Sequence, residues 1–186
     1  MVYVGVIPYA LDPVDNQHYI LLGKEHSQHD WYDQNKWAHF AGGMEVTDPN
    51  LKMASARECY EESMGFLGSL DEIYNQLDDN YCLKYDNVCA YLLPIEYNPQ
   101  LPILYKNVHG YLTRCTISHP TKPGYDYLPS CPEGFFEKTD IGWFSTQQLQ
   151  KMVLTGTWNY PSGILLRKGF CDILRNLFNN FNFHQA

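Results

Sequence analysis

A chain of 186 residues and 21.6 kDa is long enough to close one hydrophobic core and short enough not to need two. With 45% hydrophobic and 18% charged residues it is not a disordered chain. A net charge of −8 excludes broad affinity for nucleic-acid backbone, which requires clustered lysine and arginine.

In chain order, the residues from Val2 to Leu11 and from Tyr19 to Gly23 are rich in β-branched and aliphatic side chains. They flank Asp12-Pro13-Val14-Asp15-Asn16-Gln17, so the pattern predicts a hairpin. A polar stretch from His26 to Asn35 carries Trp31-Tyr32, and the segment from Lys36 to Ala41 predicts a short strand running into Gly42-Gly43. Asp48-Pro49 predicts a helix N-cap followed by proline at the first helical position, with the helix continuing to Ser63 and stopped at Gly65. Met53, Ala56, Cys59 and Tyr60 form its apolar stripe, on the face opposite the carboxylates. A second helix is expected over 70–77, and strands over 87–95, 108–117 and 141–144. The proline-containing segment 119–132 is long enough to act as a lid or specificity loop. Ser145 is expected to cap a helix through Val153. A C-terminal helix over 164–178 should turn Leu165, Phe170, Ile173, Leu174 and Leu177 inward, ahead of a tail at 179–186 that frays.

Glu58, Glu61 and Glu62 in Arg57-Glu58-Cys59-Tyr60-Glu61-Glu62 stand at i, i+3 and i+4, so three carboxylates share one helix face. Like charges so placed repel each other. A hard divalent cation, Mg²⁺ or Mn²⁺, relieves that repulsion, and the backbone at Gly43 could add a carbonyl oxygen. A solvated acidic face is the ordinary reading of such a pattern. It is weighed against the glycine pair that ends a strand fourteen residues before Arg57.

The segment from Gly43 to Phe66 resembles the Nudix box, G-x5-E-x7-R-E-U-x-E-E-x-G-U with U aliphatic. Two departures stand in it: Pro49 occupies the first motif glutamate, with Asp48 and Glu45 nearby, and Met64 is one residue extra before Gly65-Phe66. The likeness extends more loosely from Val2 to Met152. It implies an α/β/α sandwich with a mixed sheet in one domain, and Mg²⁺- or Mn²⁺-assisted hydrolysis of the diphosphate linkage in a nucleoside diphosphate derivative. It further implies Glu58, Glu61 and Glu62 as metal ligands, Gly43 as the carbonyl donor, and Arg57 as the residue that pairs with Glu61 and holds its rotamer. The base would be one of the box glutamates or a later acid, Glu137 and Asp140 before Glu133.

Trp31, Tyr32, Tyr125 and Tyr127 are candidates for stacking on a nucleotide base, core or rim packing being the alternative. A His26-x-x-His29 pair lacks a third ligand cluster, and no serine has the setting of an acyl-transfer nucleophile. The expected partner is a small nucleotide-derived substrate; oligomeric state is left open, a homodimer included. Two further readings stand beside it. One is removal of the cap from mRNA, if Lys106, Arg114, Lys122, Arg167 and Lys168 converge into a basic channel. The other is a nucleotide-binding module without turnover. The six cysteines, with no C-x-x-C pair, and the absence of a basic leader before Val2 to Pro8 or of a spanning apolar run point to a reducing, cytoplasmic setting away from membranes.

Overall fold

The computed structural model describes residues 2–26, 33–121, 126–156, 163–181 and 183. Its centre is a mixed sheet. The hairpin expected at the start forms as β1 (Tyr3–Leu11) and β2 (His18–Glu25), antiparallel with Tyr9 opposite Ile20. The next expected strand divides at His39 into β3 (Trp37–Ala38), which pairs with β2, and β4 (Phe40–Gly43), which pairs with β1. Two further strands, β5 (Cys82–Tyr85) and β6 (Val88–Pro94), extend the sheet, and β6 runs parallel to β1. A short ribbon of β7 (Ile117–Ser118) and β8 (Asp126–Tyr127) lies apart, and β9 (Lys138–Ser145) returns to pair with β2.

Alternation along these strands divides the core in two. Ile7, Tyr9, Ile20, Leu22, Ala90 and Leu92 face one layer, while Val4, Val6, Leu21, Tyr91 and Leu93 face the other. The first layer is closed by α4 (Thr146–Thr155) and α5 (Lys168–Asn180) through Leu149, Phe170, Ile173, Leu174 and Leu177. Helices α1 (Leu51–Glu62), α2 (Leu70–Gln76) and α3 (Leu101–Thr113) cover the second. The result is an α/β/α sandwich in a single domain. Among the described residues no helix is long and apolar enough to cross a membrane.

Four expectations are corrected. The region expected as a strand over 108–117 belongs largely to α3. Val108 and its aromatic neighbours suggest β structure, but Leu101, Tyr105, Val108 and Leu112 fall at spacings of four and three. Pro102, in the first helical turn, has no backbone N–H to lose. Helix α1 starts two residues later than expected, because Asn50 rather than Asp48 is its cap, its side chain accepting from Met53 N–H at 2.8 Å. Leu165 is 46% exposed instead of inward-facing, since α5 starts only at Lys168. The carboxylate face of α1 is not turned away from the core: Glu58 and Glu62 are buried together with Ala54, Ala56 and Cys59.

Close packing of β1 on β4 depends on Gly5. A Cβ there would stand 2.2 Å from Ala41 Cβ and 2.6 Å from the Phe40 carbonyl oxygen. Neither neighbour can rotate aside, so Gly5→Ala is expected to cost about 1–3 kcal/mol, measured by urea denaturation.

Candidate active site

Helix α1 packs against Gly42-Gly43 at the end of β4, and the extra residue in the box is absorbed at the helix C-terminus. Met64 and Gly65 both take left-handed backbone, with φ of 52° and 72°, and Gly65 N–H donates to the Tyr60 carbonyl at 2.9 Å. The helix therefore stops at Glu62 without disturbing the three carboxylates upstream.

Arg57 organises the outer part of the cluster. Its Nε and Nη2 donate to the two oxygens of Asp48 at 3.1 and 3.0 Å, a fork on a carboxylate one residue before Pro49. Its Nη1 lies 3.0 Å from Glu58 and 3.1 Å from Glu61, and its Nη2 donates to the Gly43 carbonyl at 3.2 Å. Asp48 thus gives Arg57 the anionic partner that Pro49 cannot. Gly42 and Gly134 make room for the glutamates. A Cβ on Gly42 would lie 2.5 Å from a Glu58 carboxylate oxygen, and one on Gly134 would lie 2.9 Å from Glu61 Oε2.

Glu62 is held differently and is only 2% exposed. Its Oε2 accepts from Ala41 N–H at 2.7 Å, and its Oε1 is 3.0 Å from the Lys138 ammonium. Lys138 is itself fully buried, and its Nζ donates to Glu25 at 2.6 Å. Its stem crosses Gly23, where a Cβ would meet Lys138 Cγ at 2.8 Å. The Tyr105 hydroxyl lies 3.1 Å from the Glu62 carbonyl and 3.0 Å from that of Lys138, tying α1 to β9. Beyond Glu25, Arg167 continues the chain of charges to Asp33 at 3.0 Å. Lys138, Glu25 and Tyr105 are the residues that the sequence motif did not disclose, since each reaches the box from a distant segment.

Burial raises the pKa values of the box carboxylates: Glu58 is pushed up to about 7, and Glu61 and Glu62 also upward, despite Arg57 and Lys138 pulling the other way. Glu137, directly before β9, adds its negative charge to all three. A cluster of hard oxygen donors whose ionised forms are disfavoured by burial and mutual repulsion has the chemistry of a divalent-cation site. Among the described residues, however, no three acidic, histidine or cysteine side chains converge on one point, because Arg57 and Lys138 are interposed.

The other expected residues fall elsewhere. Asp140 is 3.8 Å from Lys106, and its charge acts on Tyr105 and His109 rather than on the box glutamates. Tyr127, in β8, packs on His119 with ring centres 4.7 Å apart. Trp31, Tyr32, His29, Tyr125 and Lys122 lie outside the described residues.

His39 lies beside this centre, buried and stacked on Phe170 at 5.0 Å, with neither ring nitrogen hydrogen-bonded among the described residues. Burial, with Lys138 and Arg167 nearby, keeps its pKa well below the usual 6.5. The unfolded chain therefore takes up a proton near 6.5 that the folded protein refuses, and stability falls as the pH drops through that value. Between pH 7.5 and 5.5 the protein is expected to lose about 1.4 kcal/mol more than His39→Leu, as read from urea denaturation at the two pH values.

No family model matches the chain, and no curated protein does. Solved structures do. The NUDIX domain of Shewanella oneidensis NrtR, cocrystallised with ADP ribose, superposes with a TM-score of 0.53 at 10% identity over 98% of this chain and 88% of that one. An Ap4A hydrolase from C. elegans in a binary complex gives 0.48 at 11% identity, over 96% of both chains. RenU, a Nudix hydrolase of M. smegmatis, gives 0.46 at 9% identity, over 96% of this chain and 84% of that one. The chain has a Nudix-like fold.

Proposed function

We propose that this protein is a divalent-metal-dependent hydrolase of a nucleoside diphosphate derivative such as ADP-ribose, a nucleotide sugar or a dinucleoside polyphosphate. The observation that carries the reading is the packing of the α1 carboxylates against Gly42-Gly43 at the end of β4, with Arg57 bridging Glu58, Glu61 and the Gly43 carbonyl. Glu58 and Glu61, with that carbonyl beside them, would hold Mg²⁺ or Mn²⁺. When bound, the cation supplies phosphate-charge screening and a water of lowered pKa. Arg57, anchored on Asp48, keeps both glutamates in one rotamer, which spares the site the cost of ordering them on binding. Glu137, whose charge reaches Glu58, Glu61 and Glu62, is the proposed acceptor of the water's proton, ahead of Asp140, which is turned toward α3. Burial between Lys138 and Ala41 N–H holds the third glutamate, Glu62, at the inner wall.

Arg167, one of the cations required for a basic RNA channel, is engaged by Glu25 and Asp33, which favours small substrates over capped RNA. A nucleotide-binding module without turnover gains support from one feature: each box carboxylate already has a protein cation beside it. Nucleotide release from a panel of diphosphate compounds and capped RNA, with and without Mn²⁺, separates these readings. Metal-dependent turnover that falls by about 10²-fold or more in Glu58→Gln supports the hydrolase. Tight binding without turnover of any compound supports the module.

A further inference from the structure

Glu62 is the third carboxylate of the box, yet its surroundings differ in kind from those of Glu58 and Glu61. Both its oxygens are already engaged, one by Ala41 N–H at 2.7 Å and one by the Lys138 ammonium at 3.0 Å. The Lys138 side chain is 1% exposed and that of Glu62 2%, whereas the side chain of Glu61 retains 21%. The arrangement is built from several directions. Gly23 leaves the space through which the lysine stem passes, Glu25 holds the ammonium at 2.6 Å from the other side, and Tyr105 ties the two backbones together. A buried ammonium so enclosed supplies the positive charge that a metal ion would otherwise bring to an inner carboxylate, and it cannot swing out to solvent.

We propose that Lys138 is the resident cation of the inner carboxylate, so that Glu62 is a structural residue of the α1–β4–β9 junction and the divalent ion is held by Glu58 and Glu61 without it. This rests on the metal-dependent reading above. In that division of labour, Glu62 fixes the C-terminal turn of α1 against β4 through Ala41 and against β9 through Lys138.

The test is direct Mn²⁺ binding, measured by electron paramagnetic resonance as loss of the free-ion signal, so that it does not depend on turnover. Glu58→Gln and Glu61→Gln are expected to weaken Mn²⁺ binding by about 10- to 100-fold, and Glu62→Gln by less than about threefold, because the Tyr105 hydroxyl still holds the Glu62 backbone in place. The double variant Glu62→Leu/Lys138→Met, which exchanges the ion pair for apolar side chains, keeps the question answerable if the single variant does not fold. It too is expected to bind Mn²⁺ within about threefold of the native protein. Loss of Mn²⁺ affinity in the folded Glu62 variants as large as in Glu58→Gln would overturn the proposal while leaving the metal-dependent reading intact. A native protein that binds no Mn²⁺ would overturn both.

Discussion

Lys138→Met is expected to be among the most destabilising single substitutions in the protein, lowering its stability by about 3–5 kcal/mol. The lysine is fully buried and lies between two carboxylates, Glu25 at 2.6 Å and Glu62 at 3.0 Å. Methionine fills much the same volume, so the loss is electrostatic rather than a matter of packing. Glu25 keeps Arg167 at 3.1 Å, but Glu62 is left with one backbone N–H and no counter-charge in a site 2% exposed. Against a total stability of roughly 5–15 kcal/mol, this is a large fraction, and the melting temperature should fall by on the order of 10 °C. Removing the partner as well reverses the sign of the argument. In Glu62→Leu/Lys138→Met no charge is stranded, and most of the loss should be regained, since well-packed apolar pairs equal or exceed buried ion pairs in stability. Scanning calorimetry of the single and double variants checks both expectations. Equal stability of Lys138→Met and the native protein would mean that the ammonium contributes nothing net.

The legible parts of this molecule were those written locally. The first hairpin, the helix carrying the three glutamates and the buried face of α5 follow from periodicities within a single segment, and Phe170, Ile173, Leu174 and Leu177 are buried as that period requires. Local spacing also placed Arg57 four residues before Glu61, and the two are 3.1 Å apart. The illegible parts depend on residues brought from afar. Lys138 lies 76 positions after Glu62 and Glu25 lies 37 before it, so neither could be attached to the motif before the sheet pairing was known. The α3 segment was misread because its apolar residues serve the helical period while including a β-branched valine. The burial of Glu58 and Glu62 contradicts the simple rule that a charged helix face looks outward. It is permitted because Arg57, Lys138 and the Ala41 amide answer each charge in place.

The largest effect on the site itself is expected from a single methyl group. Gly42→Ala would place a Cβ 2.5 and 2.6 Å from the two Glu58 carboxylate oxygens and 2.7 Å from its Cδ. Gly42 lies in β4, paired with Val4 of β1, so its backbone cannot retreat without breaking the sheet. The carboxylate must move instead, away from Gly42 and from the 3.0 Å contact with Arg57. A displacement of about 1 Å in a group that positions a reacting centre costs about 10²-fold in turnover, and Mn²⁺ affinity should fall by about tenfold or more. Because the strand pairing survives, the cost in stability should stay within about 1–3 kcal/mol. A double-mutant cycle isolates the cause. In a Glu58→Ala background there is no carboxylate to displace, so adding Gly42→Ala should change Mn²⁺ affinity very little. If the two substitutions instead act additively, the methyl group acts on the end of β4 and its carbonyls rather than on Glu58, and the assignment of Glu58 as the group that Gly42 makes room for is wrong.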